Sequence, residues 1–172
     1  MEGLAYAPAP PFDFRSIVPY EVRGMAHSGP TRMRHKRGVQ AEREVRRDTL
    51  LRQARTCHGH LAGVAGVALM KELLRLKWVE ELEAPVSGNR VGYGLTTEGR
   101  VAMSDLGVDL AASEKSTGEF ALGCLDWTER GHHLGGSLGR AVTARLSELG
   151  LIARTAGTRE VKLEGDPVFW LK

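Results

Sequence analysis

Apolar positions along the chain gather into two long stripes at helical spacing. From His60 to Glu80, Leu61, Ala65, Ala68, Leu69, Leu73 and Leu76 share one face, and from His133 to Ala153 the same face is built by Leu134, Leu138, Ala141, Val142, Leu146 and Leu149. The spacing predicts two buried helices of about five turns, each opening on His-Leu. The segments "HLAGVAGVALMKELLRLKWVE" and "HLGGSLGRAVTARLSELGLIA" are copies of one another: seven of the 21 aligned positions are identical, where chance gives on the order of one or two. Gly63, Gly66, Gly136 and Gly139 each cost about 1 kcal/mol relative to alanine inside a helix. Their recurrence predicts a close backbone approach, either between the two helices or onto a symmetry mate.

After each stripe the pattern turns to extended runs. "WVEELEAPVSGNRVGYGLT" reads as a hairpin turning at Ser87, Gly88 and Asn89, and "LIARTAGTREVKLEG" as a tighter one turning at Ala156 and Gly157. Helix followed by hairpin is the back half of a winged-helix unit. "TTEGRVAMSDLG" predicts a short helix from about Thr97 to a glycine cap at Gly107, "AASEKSTGE" a polar connector, and "FALGCLDW" a strand ahead of the second His-Leu segment. Arg55-Thr56-Cys57 stands in the equivalent place ahead of the first. Upstream, "AEREVRRDTLLRQAR" is helical with a narrow stripe of Val45, Leu50 and Leu51, whereas Pro8, Pro10, Pro11 and Pro19 interrupt a stretch with no period. The expected fold is α+β, with two repeated winged-helix-like units over 41–110 and 119–172 behind a disordered or poorly ordered arm over 1–40. The first unit carries the basic leading helix.

A hydrophobic content of 42% in 172 residues suffices for one ordinary core or two small ones packed together. Lys71, Glu72 and Arg75 interrupt the most apolar segment, well short of the ~20 residues that span a membrane. The first residues have neither the basic start nor the apolar run of a signal peptide, so the expected location is the cytoplasm, with Cys57 and Cys124 as thiols. Net charge is +3, but nine Lys and Arg from Arg32 to Arg55 face Glu42, Glu44 and Asp48 alone, a local balance of +6. Such a block favours a polyanion, usually nucleic acid, although a solvated basic helix without a partner fits the charge equally well. The candidate DNA contacts are Arg32, Arg34, Lys36, Arg37, Arg43, Arg46 and Arg47, joined at the hairpin tips by Arg90, Arg154 and Arg159. Exposed tips are polar in any case.

Cysteine and histidine cluster in two knots, Cys57, His58 and His60, then Cys124, His132 and His133. If the repeat brings the knots together, Cys57, His60, Cys124 and His133 are candidate ligands for a borderline-soft transition metal. Neither "CHGH" nor "CLDWTERGHH" has zinc-finger spacing. The alternative is buried thiols, with His60 and His133 at helix starts hydrogen-bonding to loop backbone. Asp126 and Glu129 beside His133 suit acid/base work, but no phosphate-cradling loop, nucleophile elbow or metal-hydrolase signature accompanies them, so no enzyme is expected. Asp126 reads better as a partner of Arg130 or Arg55.

"ARTCHGHLAGVAGVAL", "YGLTTEGR", "CLDWTERGHHLGGSLGRAV" and "LSELGLIAR" together resemble the C-terminal part of a subgroup of ArsR-type bacterial transcriptional regulators, over about Leu50 to Leu163. The resemblance implies a homodimeric, cytoplasmic winged-helix regulator whose N-terminal helix-turn-helix reads operator DNA and whose following part dimerises or senses an effector. Cys57, His60, Cys124, Asp126, Trp127 and His133 match the pattern, while His58 and Gly59 stand where an aromatic and an acid are expected. The residues before Arg46 lack the periodicity of a helix-turn-helix, so that reader is expected to be missing or replaced here. The chain is then either a DNA-binding regulator, or its dimerisation and sensor portion, or a small-molecule or metal-binding module without DNA binding.

Overall fold

Both apolar stripes fold as helices of equal length, and what surrounds them recurs as well. A computed structural model describes residues 38–83, 86 and 90–171. Nearly all of the arm expected over 1–40, with Arg32, Arg34, Lys36 and Arg37, lies outside the described residues, as does the turn at Ser87, Gly88 and Asn89. The chain runs through α1 (Val39–Arg47), α2 (Leu50–Gln53), β1 (Arg55–Cys57), β2 (His60–Ala62), α3 (Gly63–Arg75), β3 (Val79–Glu81) and β4 (Tyr93–Leu95). Then follow α4 (Thr97–Asp105), α5 (Leu110–Lys115), β5 (Leu122–Leu125), β6 (His132–Gly135), α6 (Gly136–Glu148), β7 (Ile152–Arg154), β8 (Val161–Leu163) and a 3-10 turn, Phe169–Leu171. The strands pair as four antiparallel hairpins, β1–β2, β3–β4, β5–β6 and β7–β8. The order hairpin, helix, hairpin therefore occurs twice, and the class is α+β. Among the described residues no helix is long and apolar enough to cross a membrane.

Local chemistry accounts for the boundaries. The leading helix breaks at Asp48, which takes a left-handed φ of 49°, and Thr49 restarts it by accepting the Arg52 N–H at 3.2 Å. The helix expected from Thr97 is present, capped by Thr96, whose hydroxyl accepts the Gly99 N–H at 2.9 Å, and Gly107 follows it at φ 79°. The stretch expected to be a plain connector holds α5, because Asp109 accepts the Ala112 N–H at 2.9 Å and starts a turn and a half of helix.

The main correction concerns the two His-Leu openings. His60-Leu61-Ala62 and His133-Leu134-Gly135 are strand, paired with Thr56 and its neighbours and with Gly123 and its neighbours, so α3 and α6 have 13 residues each, under about four turns. Gly63 and Gly136 make the switch from strand to helix at φ 80° and 81°, a backbone state that a side chain disfavours.

The close approach expected at the other two glycines exists, but it is not helix on helix. A Cβ on Gly66 would enter contact with the Leu61 carbonyl oxygen and stand 3.3 Å from the His133 Cβ. On Gly139 it would meet the Leu134 carbonyl oxygen and stand 3.2 Å from the His60 Cβ. Each repeat thus presses its histidine onto the glycine of the other repeat's helix, α3 lying on β6 and α6 on β2. Leu61, Ala65, Leu69 and Leu73 share one core with Leu134, Leu138, Val142 and Leu146, closed by Val79, Tyr93, Met103, Ile152 and Val161.

Candidate functional site

The reciprocal packing places two hairpins face to face. In the first, the two-residue turn His58-Gly59 has φ of 50° and 90°, the positive pair of a type I′ turn, and sets Cys57 directly opposite His60. The second has a longer loop but the same outcome, with Cys124 opposite His133. Opposed residues of an antiparallel pair project to the same side, so each hairpin offers one thiol and one imidazole. The ligand atoms of Cys57, His60, Cys124 and His133 all lie within 4.8 Å of one another. The two sulfurs are 3.8 Å apart as free thiols, and the His60 and His133 rings are 5.1 Å apart between centroids.

The histidines are 4% and 1% exposed, the cysteines half-buried. The alternative of hydrogen bonds to loop backbone is not met at three of the four ring nitrogens. His60 Nδ1 and both ring nitrogens of His133 are buried with no hydrogen-bond partner among the described residues, because the strands turn the rings inward toward the sulfurs instead of back along the chain. Burial, then the neighbouring His133, holds the His60 ring down to about 4. The thiols titrate as a pair. The Cys124 thiol beside it, then the His133 ring, lower Cys57, while the resulting thiolate and burial raise Cys124.

Asp126, fully buried, supports this cluster from one side. Its Oδ1 accepts from Arg55 Nη2 at 2.6 Å, from the Thr128 hydroxyl at 2.8 Å, and from the Thr128 and Glu129 N–H groups at 2.9 and 3.1 Å. Its Oδ2 accepts the Gly63 N–H at 2.8 Å and stands 3.5 Å from His133 Nδ1. A carboxylate from the second repeat therefore caps α3 of the first. Burial pushes the carboxyl up, but the Glu129 and Gly63 N–H groups, Arg55 and Thr128 outweigh it and hold Asp126 below its usual range. The expected Asp126–Arg55 partnership is present. Arg130 meets Asp126 through its backbone N–H, 3.0 Å from the carbonyl oxygen.

Two cations of the basic block are engaged within the fold, one of them buried. Arg55 is 1% exposed, bonded also to the Leu51 carbonyl at 3.0 Å and stacked 4.6 Å from the Trp127 ring centroid. Arg52 grips Glu129 with two parallel bonds of 2.9 and 3.1 Å. Of the candidate DNA contacts, Arg43, Arg46 and Arg47 are exposed on α1, and Arg90, Arg154 and Arg159 are exposed on the hairpins. Thr143, which nothing in the sequence singles out, accepts the Leu61 N–H at 2.8 Å and ties α6 to β2.

Over 128 residues the chain is 32% identical to an uncharacterized HTH-type transcriptional regulator, YdfF, of Bacillus subtilis (strain 168). The match takes in 74% of this chain and 54% of that protein. The chain spans about half the length of the regulator it matches. No family model matches the chain, and no solved structure does.

Proposed function

We propose that this chain is a cytoplasmic, homodimeric DNA-binding transcriptional regulator of the ArsR type, in which the described residues form the dimerisation and sensor portion. The likeness to an HTH-type regulator over 74% of the chain carries this reading. The helix-then-hairpin order of α3 with β3–β4 and of α6 with β7–β8 suits winged-helix-like units. Arg43, Arg46 and Arg47 on α1, with Arg90, Arg154 and Arg159 on the hairpins, are the phosphate contacts, and operator DNA is the partner.

Fluorescence anisotropy of the whole chain on labelled DNA from upstream of its own gene tests this. Binding is expected to prefer that DNA over a scrambled duplex and to weaken with salt, with a log–log slope steeper than about −3. Replacing Arg43, Arg46 and Arg47 together by Ala should flatten the slope by about 3. No binding at low salt, or binding indifferent to sequence, leaves the other reading, a small-molecule or metal-binding module without DNA binding. The four converging donors favour that second reading.

A further inference from the structure

We propose that Cys57, His60, Cys124 and His133 hold one zinc-class divalent ion in a closed tetrahedral site that clasps the two repeats together. Each repeat supplies one thiolate and one imidazole from directly opposed strand positions. Two sulfurs bound at about 2.3 Å to one tetrahedral ion stand about 3.8 Å apart, and the observed separation is 3.8 Å. A disulfide needs about 2.05 Å and leaves the imidazoles as they are, whereas an ion at the centre takes one buried nitrogen of each ring, His60 Nδ1 and a nitrogen of His133, that finds no partner among the described residues. An S2N2 donor set selects zinc over oxygen-loving cations such as magnesium or calcium. Two thiolates also neutralise a divalent ion, which a site this enclosed requires.

The surroundings fit a held ligand set. Asp126 Oδ2 lies 3.5 Å from His133 Nδ1, beyond hydrogen-bond length but on the side from which a carboxylate orients a ligating ring, so a small closure on metal binding takes up the Nδ1–H and leaves Nε2 for the ion. Asp126 is itself fixed by Arg55 and by the Gly63 N–H, so it acts as a positioning residue. Four protein donors leave no open coordination position, so the ion's work is structural or regulatory and not hydrolytic. The proposal does not depend on DNA binding.

The test uses the whole chain, purified with a phosphine reductant, stripped by chelator, and titrated with cobalt(II) and then zinc. The expected result is saturation at one cobalt per chain, with thiolate-to-cobalt charge transfer and the intense visible bands of tetrahedral cobalt, all bleached by one equivalent of zinc. Zinc should also raise the melting temperature of the stripped protein. Cys57→Ser and Cys124→Ser should each weaken binding by more than about 100-fold, with far-UV circular dichroism of the stripped variants checking the fold. His58→Asn, an exposed histidine in the same turn, should change nothing. A pale octahedral cobalt spectrum without charge transfer in the wild-type chain overturns the proposal whatever the variants do. So does undiminished binding by a folded Cys124→Ser protein.

Discussion

Replacing Asp126 by asparagine is expected to lower the folding stability by about 3–5 kcal/mol, the usual penalty for leaving one member of a buried ion pair without its partner. Arg55 and Asp126 are 1% and 0% exposed, so water cannot re-solvate the guanidinium. An amide, though the same shape, also fails as a hydrogen-bonding substitute. One carboxylate oxygen faces Arg55, Thr128 and Glu129, and the other faces the Gly63 N–H, so whichever way the amide flips, its NH2 meets donors. Urea unfolding followed by circular dichroism should show a lower midpoint at unchanged slope. Adding Arg55→Met should return part of the loss, a coupling of about 0.5–3 kcal/mol. The return stays incomplete because the amide's one oxygen cannot accept both the Gly63 N–H and the Thr128 and Glu129 N–H groups, so one side stays orphaned. If the single variant falls within about 1 kcal/mol of wild type, the buried pair does not hold the repeats together.

Gly66→Ala and Gly139→Ala should each destabilise, against the sign that helix propensity gives. In an isolated helix alanine gains about 1 kcal/mol over glycine. Here the added methyl enters contact with the Leu61 or Leu134 carbonyl oxygen and crowds the opposite repeat's histidine Cβ at 3.3 or 3.2 Å. The strand cannot retreat: Leu61 is paired with Thr56 and its N–H is bonded to Thr143. The net loss should fall at the upper end of the 1–3 kcal/mol range for overpacking, a fall in melting temperature of roughly 5–10 °C for a chain of this size. Measured on chelator-stripped protein, the two variants should behave alike, since the contacts are reciprocal. An unchanged or higher melting temperature in both would mean that α3 and α6 do not lie on these strands.

These expectations bear on why the protein is duplicated. Neither hairpin alone surrounds a histidine pair, and neither helix alone covers its apolar face; each repeat completes the other. Because one core draws on both α3 and α6, whatever binds at the cysteine–histidine cluster bears on both repeats together.

Much of this was legible in the chain itself. Periodic apolar positions locate α3 and α6 because a helix that buries one face must repeat near 3.6, and the turn residues around Ala156-Gly157 mark a hairpin that is present as β7–β8. The internal copy announces that whatever one segment does, the other does too. The strands at His60 and His133 were hidden, because His-Leu prolongs the helical period and only the left-handed φ of Gly63 and Gly136 ends it. The fate of Arg52 was hidden as well. As sequence it is charge in a basic block, but its partner Glu129 lies 77 residues away, whereas the Arg55–Asp126 pair, 71 residues apart, is one the sequence suggests. The four converging donors were legible as candidates and not as a site. Strand pairing sets Cys57 against His60 and Cys124 against His133, and packing of one repeat on the other brings the two sulfurs together from 67 residues apart. Linear spacing records local geometry alone, whereas that convergence is made by non-local pairing and a shared core.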